Sequence, residues 1–300
     1  FLLQVERPAP ADALMARAEL AETALADVLS GNTENDPFNQ LIVAAGLDPR
    51  SALLFRAWFR YMRQAGLAYG IQTVVDALKR APAIAGLIVS LFDALHDPDK
   101  RSEGAAAIAD AAIDEALLGV SAIDDDRILR WLRTLVKAVL RTNAFSPAAA
   151  EALAFKLDSQ QIPGLPAPVP WREIWIYSKR LEGIHLRGGP IARGGLRWSD
   201  RRDDFRTEIL GLMKAQLVKN AVIVPTGAKG GFYPKQLPPA SDRDAWIAEG
   251  TESYRIFIRT LLSVTDNIID GKVVHPADVT VLDGEDPYFV VAADKGTATF

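Results

Sequence analysis

The sequence predicts an α/β chain in two parts: an all-helical first part, residues 1–161, and a mixed α/β second part, residues 162–300. Three observations carry this expectation. Up to residue 157, apolar residues recur at helical spacing in an alanine- and leucine-rich background. Four prolines then fall within the nine residues Ile162 to Pro170, IPGLPAPVP, which mark a linker or a domain edge. Beyond them, short alternating segments intermix with further helices, the pattern of an α/β unit.

The elements follow in order. Residues 11–30 have helical composition, Asn32 to Pro37 breaks it, and Asn39 to Leu47 is short and apolar. Pro49 can open the helix Ser51 to Gln64, in which Leu53, Leu54, Trp58 and Tyr61 recur at helical spacing. Ile71 to Lys79, Ala83 to Leu95 and Ala105 to Leu118 are expected helices. Asp124 to Asp126 offer caps for Ile128 to Arg141, and Ser146-Pro147 opens an expected helix Ala148 to Leu157. Glu173 to Ser178 and Gly183 to Arg187 read as strands of a hairpin, with His185 an ordinary strand residue. Asp203 or Asp204 caps a helix whose face is Phe205, Ile209, Leu212, Met213 and Leu217. Ala221 to Val224 is a short buried strand, Ser241 caps a helix to about Leu262, and Val279 to Leu282 and Tyr288 to Val291 are strand candidates.

Composition narrows the function. Apolar residues make up 49% and charged residues 24% of the 300, a globular balance. The net charge of −4, from 34 basic and 38 acidic residues, argues against a general nucleic-acid binder. The chain has no cysteine, which removes disulfides, thiolate zinc sites and cysteine nucleophiles. Its three histidines, His96, His185 and His275, are far apart, so no histidine metal site is expected. The most apolar run, Ala81 to Leu95, is interrupted by Pro82 and Asp93 and is too short for a membrane span. FLLQVERPAP lacks the basic start of a signal peptide and an initiator methionine, and ADKGTATF stops in mid-motif. Both ends are therefore expected to be cuts through a longer chain.

Chemistry concentrates in Arg187 to Phe232. Arg193 in ARGGLRW and Lys229 in GAKGGF are each flanked by glycine, and the expectation is a pair of glycine loops that approach a ligand closely. Gln216 and Lys219 sit three apart and share a helix face. Together these residues offer several cations and an amide to a small, multiply anionic molecule. GAKGG lacks the GxxxxGK[ST] spacing of a phosphate loop, and GxGxxG occurs nowhere.

At this stretch the sequence resembles glutamate dehydrogenases, most closely the very large bacterial NAD-specific class. Common members carry KGGxR, QxxKN, GGxKGG and PAxDxGT in that order. Here ARGGLR stands at 192–197, QLVKN at 216–220, GAKGG at 227–231 and AADKGT at 292–297. The resemblance extends over the helical section around PFNQLIVAAGLDPRSALLFRAWFRYMRQ. It implies that residues 162–300 are part of a glutamate dehydrogenase-type substrate-binding domain, with the Rossmann domain for the dinucleotide downstream of Phe300. By the same resemblance Arg193 replaces the lysine that holds the distal carboxylate of the substrate, and Gln216 and Lys219 hold the α-carboxylate. Lys229 is then the catalytic lysine and Asp294 the catalytic aspartate. Two departures stand out. Arginine at 193 differs from lysine in reach and geometry, and Ala292 replaces the family proline before Asp294. Asp278 in HPADVT is a competing aspartate without the following Gly-Thr, so Asp294 is preferred.

The implied reaction is NAD-dependent oxidative deamination of glutamate to 2-oxoglutarate and ammonia. The residue types suit it independently. A lysine among other cations tends toward its neutral form and can serve as a base for the water that attacks the imine. An aspartate can move the proton to the departing amine, and no metal is needed. The resemblance also implies a cytoplasmic homo-oligomer with small-molecule partners, neither nucleic acid nor membrane, and a 300-residue piece inactive by itself. Alternatives are a dehydrogenase for another amino acid, disfavoured by the cation at 193, and a non-catalytic anion-binding regulatory module, disfavoured by the presence of both Lys229 and Asp294. Residues 1–161 could serve assembly or regulation.

Overall fold

The computed structural model describes residues 15–219 and 225–299, without the side chains of 217–219 and 290. The expected strand Ala221 to Val224 lies outside the described residues. Two compact units form. One comprises Phe1–Arg60, Ala68–Phe92 and Ser102–Arg133, and the other Tyr61–Leu67, Asp93–Arg101 and Thr134–Phe300.

The first unit is helical. Its helices are α1 (Ala18–Leu29), α2 (Gln40–Ala44), most of α3 (Pro49–Gln64), α4 (Ile71–Arg80), most of α5 (Pro82–His96), α6 (Glu103–Leu117) and most of α7 (Ile123–Ala138). Proline opens α3 and α5, where its missing N–H costs nothing. Trp58 sits edge-on to Phe55 and Phe92, at centroid distances of 5.2 and 5.3 Å. Buried Arg56 is neutralised by Asp36 at 2.6 Å and also donates to Asn39.

The second unit is a seven-stranded sheet in the order β1-β2-β3-β4-β6-β5-β9. The strands are β1 (Val139–Thr142), β2 (Leu153–Leu157), β3 (Arg172–Tyr177), β4 (Leu181–Arg187), β5 (Ala192–Trp198), β6 (Thr226–Pro234) and β9 (Val290–Ala293). Neighbours from β1 to β4 pair antiparallel, as do β4 and β6, whereas β5 runs parallel to both β6 and β9. Helix α8 (Phe205–Lys219) covers one face and α9 (Arg243–Leu262) the other. Side chains alternate between faces along a strand. On β6 a Cβ at Gly231 would meet Ile209 of α8, while the next residue, Phe232, packs on Phe257 of α9 at 5.5 Å.

Several expectations change. The helix expected to run to Arg141 stops at Ala138, and Val139–Thr142 is a buried strand. The helix expected over Ala148 to Leu157 is a single 3-10 turn, Pro147–Ala150, followed by β2. Alanine favours helix locally, but all five residues of LAFKL are buried between β1 and β3, and that packing overrides propensity. The sheet therefore draws on residues on both sides of the 161/162 division. Asp242, not Ser241, caps α9. Val279 to Leu282 forms no strand and gives β1 one backbone bond, Leu282 N–H to Leu140 O at 3.1 Å. A hairpin that went unforeseen, β7 (Asn267–Ile269) with β8 (Lys272–Val274), turns at Asp270-Gly271, both at positive φ.

Buried charge fastens each face. On the α8 side Arg206 of the helix forks onto Glu173 of β3 at 2.8 and 2.5 Å, and Tyr61 donates to the same carboxylate at 3.3 Å. On the α9 side the segment after the helix is held by alternating charges. Arg141 meets Asp266 and Asp283, Lys156 meets Asp283 and Asp286, and Arg187 meets Asp286, all within 2.5–2.6 Å. Burial alone would raise the Asp266 carboxyl, but hydrogen bonds from Arg141, the Asp286 amide and His275 outweigh it and bring it to about 2.

His185 shares that face. Its ring is buried against Phe289 at 4.9 Å, and neither nitrogen has a partner among the described residues. Burial, and then the Arg187 charge, push the imidazole down to about 3; burial brings His96 to about 4. Both folded values lie below the unfolded value of about 6.5, so the unfolded chain binds the extra protons. Stability from these groups is complete above about pH 6.5 and is lost as pH falls toward these folded values. Each titrating histidine adds a slope of up to about 1.4 kcal/mol per pH unit. Urea unfolding of wild type and His185→Leu between pH 7 and 4 should give a shallower slope for the variant. Equal slopes would show that His185 is not held neutral in the fold.

Candidate active site

The two glycine-flanked motifs are not loops. ARGGLRW is β5, GAKGG is the first part of β6, and they lie side by side with Arg193 opposite Gly227 and Leu196 opposite Gly230. None of Gly194, Gly195, Gly227, Gly230 and Gly231 has positive φ. Glycine is required for close approach instead. A Cβ at Gly194 would collide with the Ala228 carbonyl, and one at Gly227 would lie 3.1 Å from Cγ of Gln216 on α8. At Gly230 it would press on Leu196 and, at 3.0 Å, on His185.

This bare strip lets long side chains from its edges converge. Lys229 Nζ lies 3.4 Å, and Asp294 Cβ 3.2 Å, from the place where a Gly195 Cβ would sit. Lys229 and Asp294, 65 positions apart in the numbering, thus flank one glycine. The parallel pairing of β5 with β9 puts them there: Gly195 stands opposite Ala292, and the Asp294 N–H donates to Leu196 O at 2.8 Å. Asp294 Oδ1 accepts from the Thr297 N–H at 2.9 Å, and the Thr297 hydroxyl accepts from the Trp198 N–H at 2.9 Å. These bonds pin the carboxylate just past the end of β9.

Arg193 lies two residues back from Gly195 on β5, so alternation places both on one face. It is exposed and forms no ion pair with a described residue. Gln216 reaches the strip from α8. Its Nε2 donates to Arg193 O at 3.2 Å, and its buried Oε1 has no partner among the described residues. Lys219 is the last residue of α8, and its side chain lies outside the described residues. Asp278, the competing aspartate, is exposed in the segment between β8 and β9 with φ 57°.

Sequence reading missed the support around this site. Glu208 of α8 pairs with Arg197 at 2.7 Å and accepts from the Ser199 hydroxyl at 2.7 Å. Arg197, Trp198, Asp200, Trp246, Asp294, Gly296 and Thr297 line a cleft of about 440 Å³ at the carboxyl ends of β5 and β9. Trp198 and Trp246 stack at 4.4 Å along it, and Trp198 occupies the place of any Cβ on Gly250. No local signal joins Trp198 to Gly250, 52 positions apart in the numbering. Among the described residues no acidic, histidine or cysteine cluster could hold a metal, and no helix is long and apolar enough to cross a membrane.

The glycine geometry separates two neighbouring substitutions. Gly194→Ala must move the Ala228 backbone and should destabilise by about 1–3 kcal/mol. Gly195→Ala makes contacts of 3.2–3.4 Å only with side-chain atoms and should cost under about 1 kcal/mol. Chemical denaturation of both variants tests this; equal losses would mean that the two strands are not in the register seen here.

Residues 112–300 match the family model of the bacterial NAD-glutamate dehydrogenase catalytic domain, and residues 33–98 match that of glutamate dehydrogenase helical motif 3. Similar relatives are the NAD-specific glutamate dehydrogenases of Halomonas elongata, 50% identical over 91% of this chain, Pseudomonas aeruginosa, 48% over 94%, and Mycobacterium tuberculosis, 51% over 92%. The chain spans only 17–18% of the length of these relatives.

Proposed function

Because this chain belongs to the bacterial NAD-specific glutamate dehydrogenase family, we propose that it serves the NAD-dependent oxidative deamination of L-glutamate to 2-oxoglutarate and ammonia. The observation that carries the reading is the meeting of Lys229 and Asp294 over Gly195. We assign residues 162–300 to the substrate-binding part of the catalytic domain and residues 1–161 to a mainly helical region preceding it, whose last strands, β1 and β2, join the sheet of that domain. The catalytic-domain match already begins at residue 112, upstream of that division.

In this reading Arg193 receives the distal carboxylate of glutamate in a two-pronged, charge-assisted contact. Gln216, which reaches the strip beside Arg193, takes the α-carboxylate together with Lys219. The missing Cβ at Gly195 provides room for the reacting carbon between Lys229 and Asp294. NAD, when bound, supplies the hydride acceptor. The cleft beside Asp294 is open and walled by Trp198 and Trp246, which suits the flat reacting end of that cofactor. Lys229 then takes a proton from the water that attacks the imine, and Asp294, a few ångströms away, passes a proton to the leaving amine. The Thr297 amide on Asp294 Oδ1 limits the rotation of that carboxylate.

We extend the proposal to a cytoplasmic homo-oligomer that acts on small molecules and not on nucleic acid or membrane; the net charge of −4 supports the first of these exclusions.

Lys229→Ala in the full-length protein should lower kcat by about 10²–10⁴-fold, the usual weight of a general base, with circular dichroism unchanged. A kcat near wild type would remove Lys229 from the mechanism. Arg193→Met should raise KM for glutamate and lower kcat/KM by about 10- to 100-fold, since a charge-assisted contact is worth about 1.5–3 kcal/mol. It should also relax discrimination against norvaline. If glutamate is still preferred to the same degree, another cation binds the distal carboxylate.

A further inference from the structure

One fully buried cation joins the two strands that carry the candidate site. Arg187 ends β4 and is 1% exposed. Its Nη1 meets Asp286 Oδ2 at 2.5 Å. Its Nη2 donates to Tyr288 O at 3.1 Å and also to Pro190 O. Pro190 lies just before β5, and Tyr288 just before β9. One guanidinium therefore grips the entries to two parallel strands that then pair from Arg193 and Val290 to Leu196 and Ala293. The guanidinium itself stacks at 5.4 Å over Trp171, which limits its rotation.

We infer that Arg187 is a positioning residue: by bridging Pro190 and Tyr288 it fixes the stagger of β5 against β9, and so places Asp294 at Gly195 and Lys229. A strand rises about 3.3 Å per residue, so a slip of one position would carry Asp294 past the glycine and turn alternate side chains to the wrong face. Backbone pairing between β5 and β9 covers only four residues, which makes an independent fixed point at their entry consequential. Lysine could not replace this arrangement. It offers one point charge where the guanidinium offers a rigid fork. It would still neutralise Asp286, which Lys156 also meets at 2.6 Å. The charge balance and the bridge can therefore be separated by substitution.

The kinetic consequence rests on the glutamate dehydrogenase reading, whereas the bridge itself does not. The test compares full-length wild type, Arg187→Lys and Asp286→Asn by steady-state kinetics, thermal unfolding and hydrogen exchange. For Arg187→Lys we expect a Tm close to wild type, a kcat lower by about 10²-fold, the cost of a misplacement of about 1 Å, and KM for glutamate within about twofold. Exchange should quicken in 192–198 and 290–296. Asp286→Asn should lower Tm with little change in kcat. Wild-type kcat and exchange in Arg187→Lys would overturn the proposal, as would parallel losses of Tm and kcat in both variants. If Arg187→Lys does not fold, wild-type exchange in mild denaturant decides: a shared opening of the two strands supports the bridge, and β9 opening well before β5 overturns it. A wild type without glutamate-dependent NADH formation would refute the functional reading, and exchange would still judge the bridge.

Discussion

The structure depends on how closely two backbones approach each other and one helix. β5 and β6 run side by side with glycine at five of their facing positions, and α8 lies so low on β6 that Gly227 touches Gln216 and Gly231 touches Ile209. Glycine in a strand interior costs backbone entropy and contributes no packing. The strip is stable here because helices and neighbouring strands press on it from both faces. What it gains is an apolar-free floor from which few side chains rise. Arg193 and Lys229 are diagonal neighbours on that floor, and Asp294 enters from the next strand. The proposed chemistry, which must reach the α-carbon of a small dicarboxylate, suits such a floor, because any Cβ at 195 would stand between lysine and aspartate.

Charge then decides where the two covering layers sit. Arg206–Glu173 under α8 and the Arg141–Asp266–Asp283–Lys156–Asp286–Arg187 series under the segment after α9 are both buried. Desolvating these ions offsets much of their mutual attraction, so their net contribution to stability is small, while removal of one member leaves an unpaired buried charge. Their effect is on geometry. Apolar contacts alone would let a helix or an irregular segment slide by a residue at little cost; a forked arginine has one partner and one angle. The segment from 264 to 289 has little regular structure of its own, yet it must deliver β9 in register. The ion series supplies the specificity that its sequence pattern lacks.

Much of this was legible in the sequence, and the divisions between what was and was not are physical. Helices α3 to α6 follow from apolar periodicity, and the start of α3 from Pro49. The hairpin β3–β4 follows from alternation. Strands β1 and β2 did not, because VLRT and LAFKL sit in helix-favouring surroundings and become strands only through pairing across the sheet. The glycine motifs were legible as chemistry but not as strands: glycine reads locally as a loop, and the reason for it here is a carbonyl on a neighbouring strand. Lys229 and Asp294 could be singled out from motif order, yet nothing local says that they meet. Glu208, Arg187, Trp198 and Trp246 were invisible for the same reason, since each acts through partners distant in the chain.

The mixed direction of the sheet is what finally makes the site. Had β5 paired antiparallel to β6, as every earlier neighbour pair does, its carboxyl end would lie at the opposite edge, far from Asp294. By crossing over the start of β6, the turn 188–191 sends β5 back parallel to it, with Thr226 N–H donating to Ile191 O at 2.8 Å to fasten the crossing. β9 follows the same direction on the outer side. The ends of β5 and β9 then open together onto the cleft lined by Arg197, Asp200, Trp246 and Asp294. Ligands in open sheets collect beyond the carboxyl ends of parallel strands, where chains diverge and leave a crevice. Here the change from antiparallel to parallel pairing creates that crevice, and the glycine strip leads into it. Side chains from the end of β5, from the segment just past β9 and from α9 meet there because a single reversal of direction brings those ends to one place.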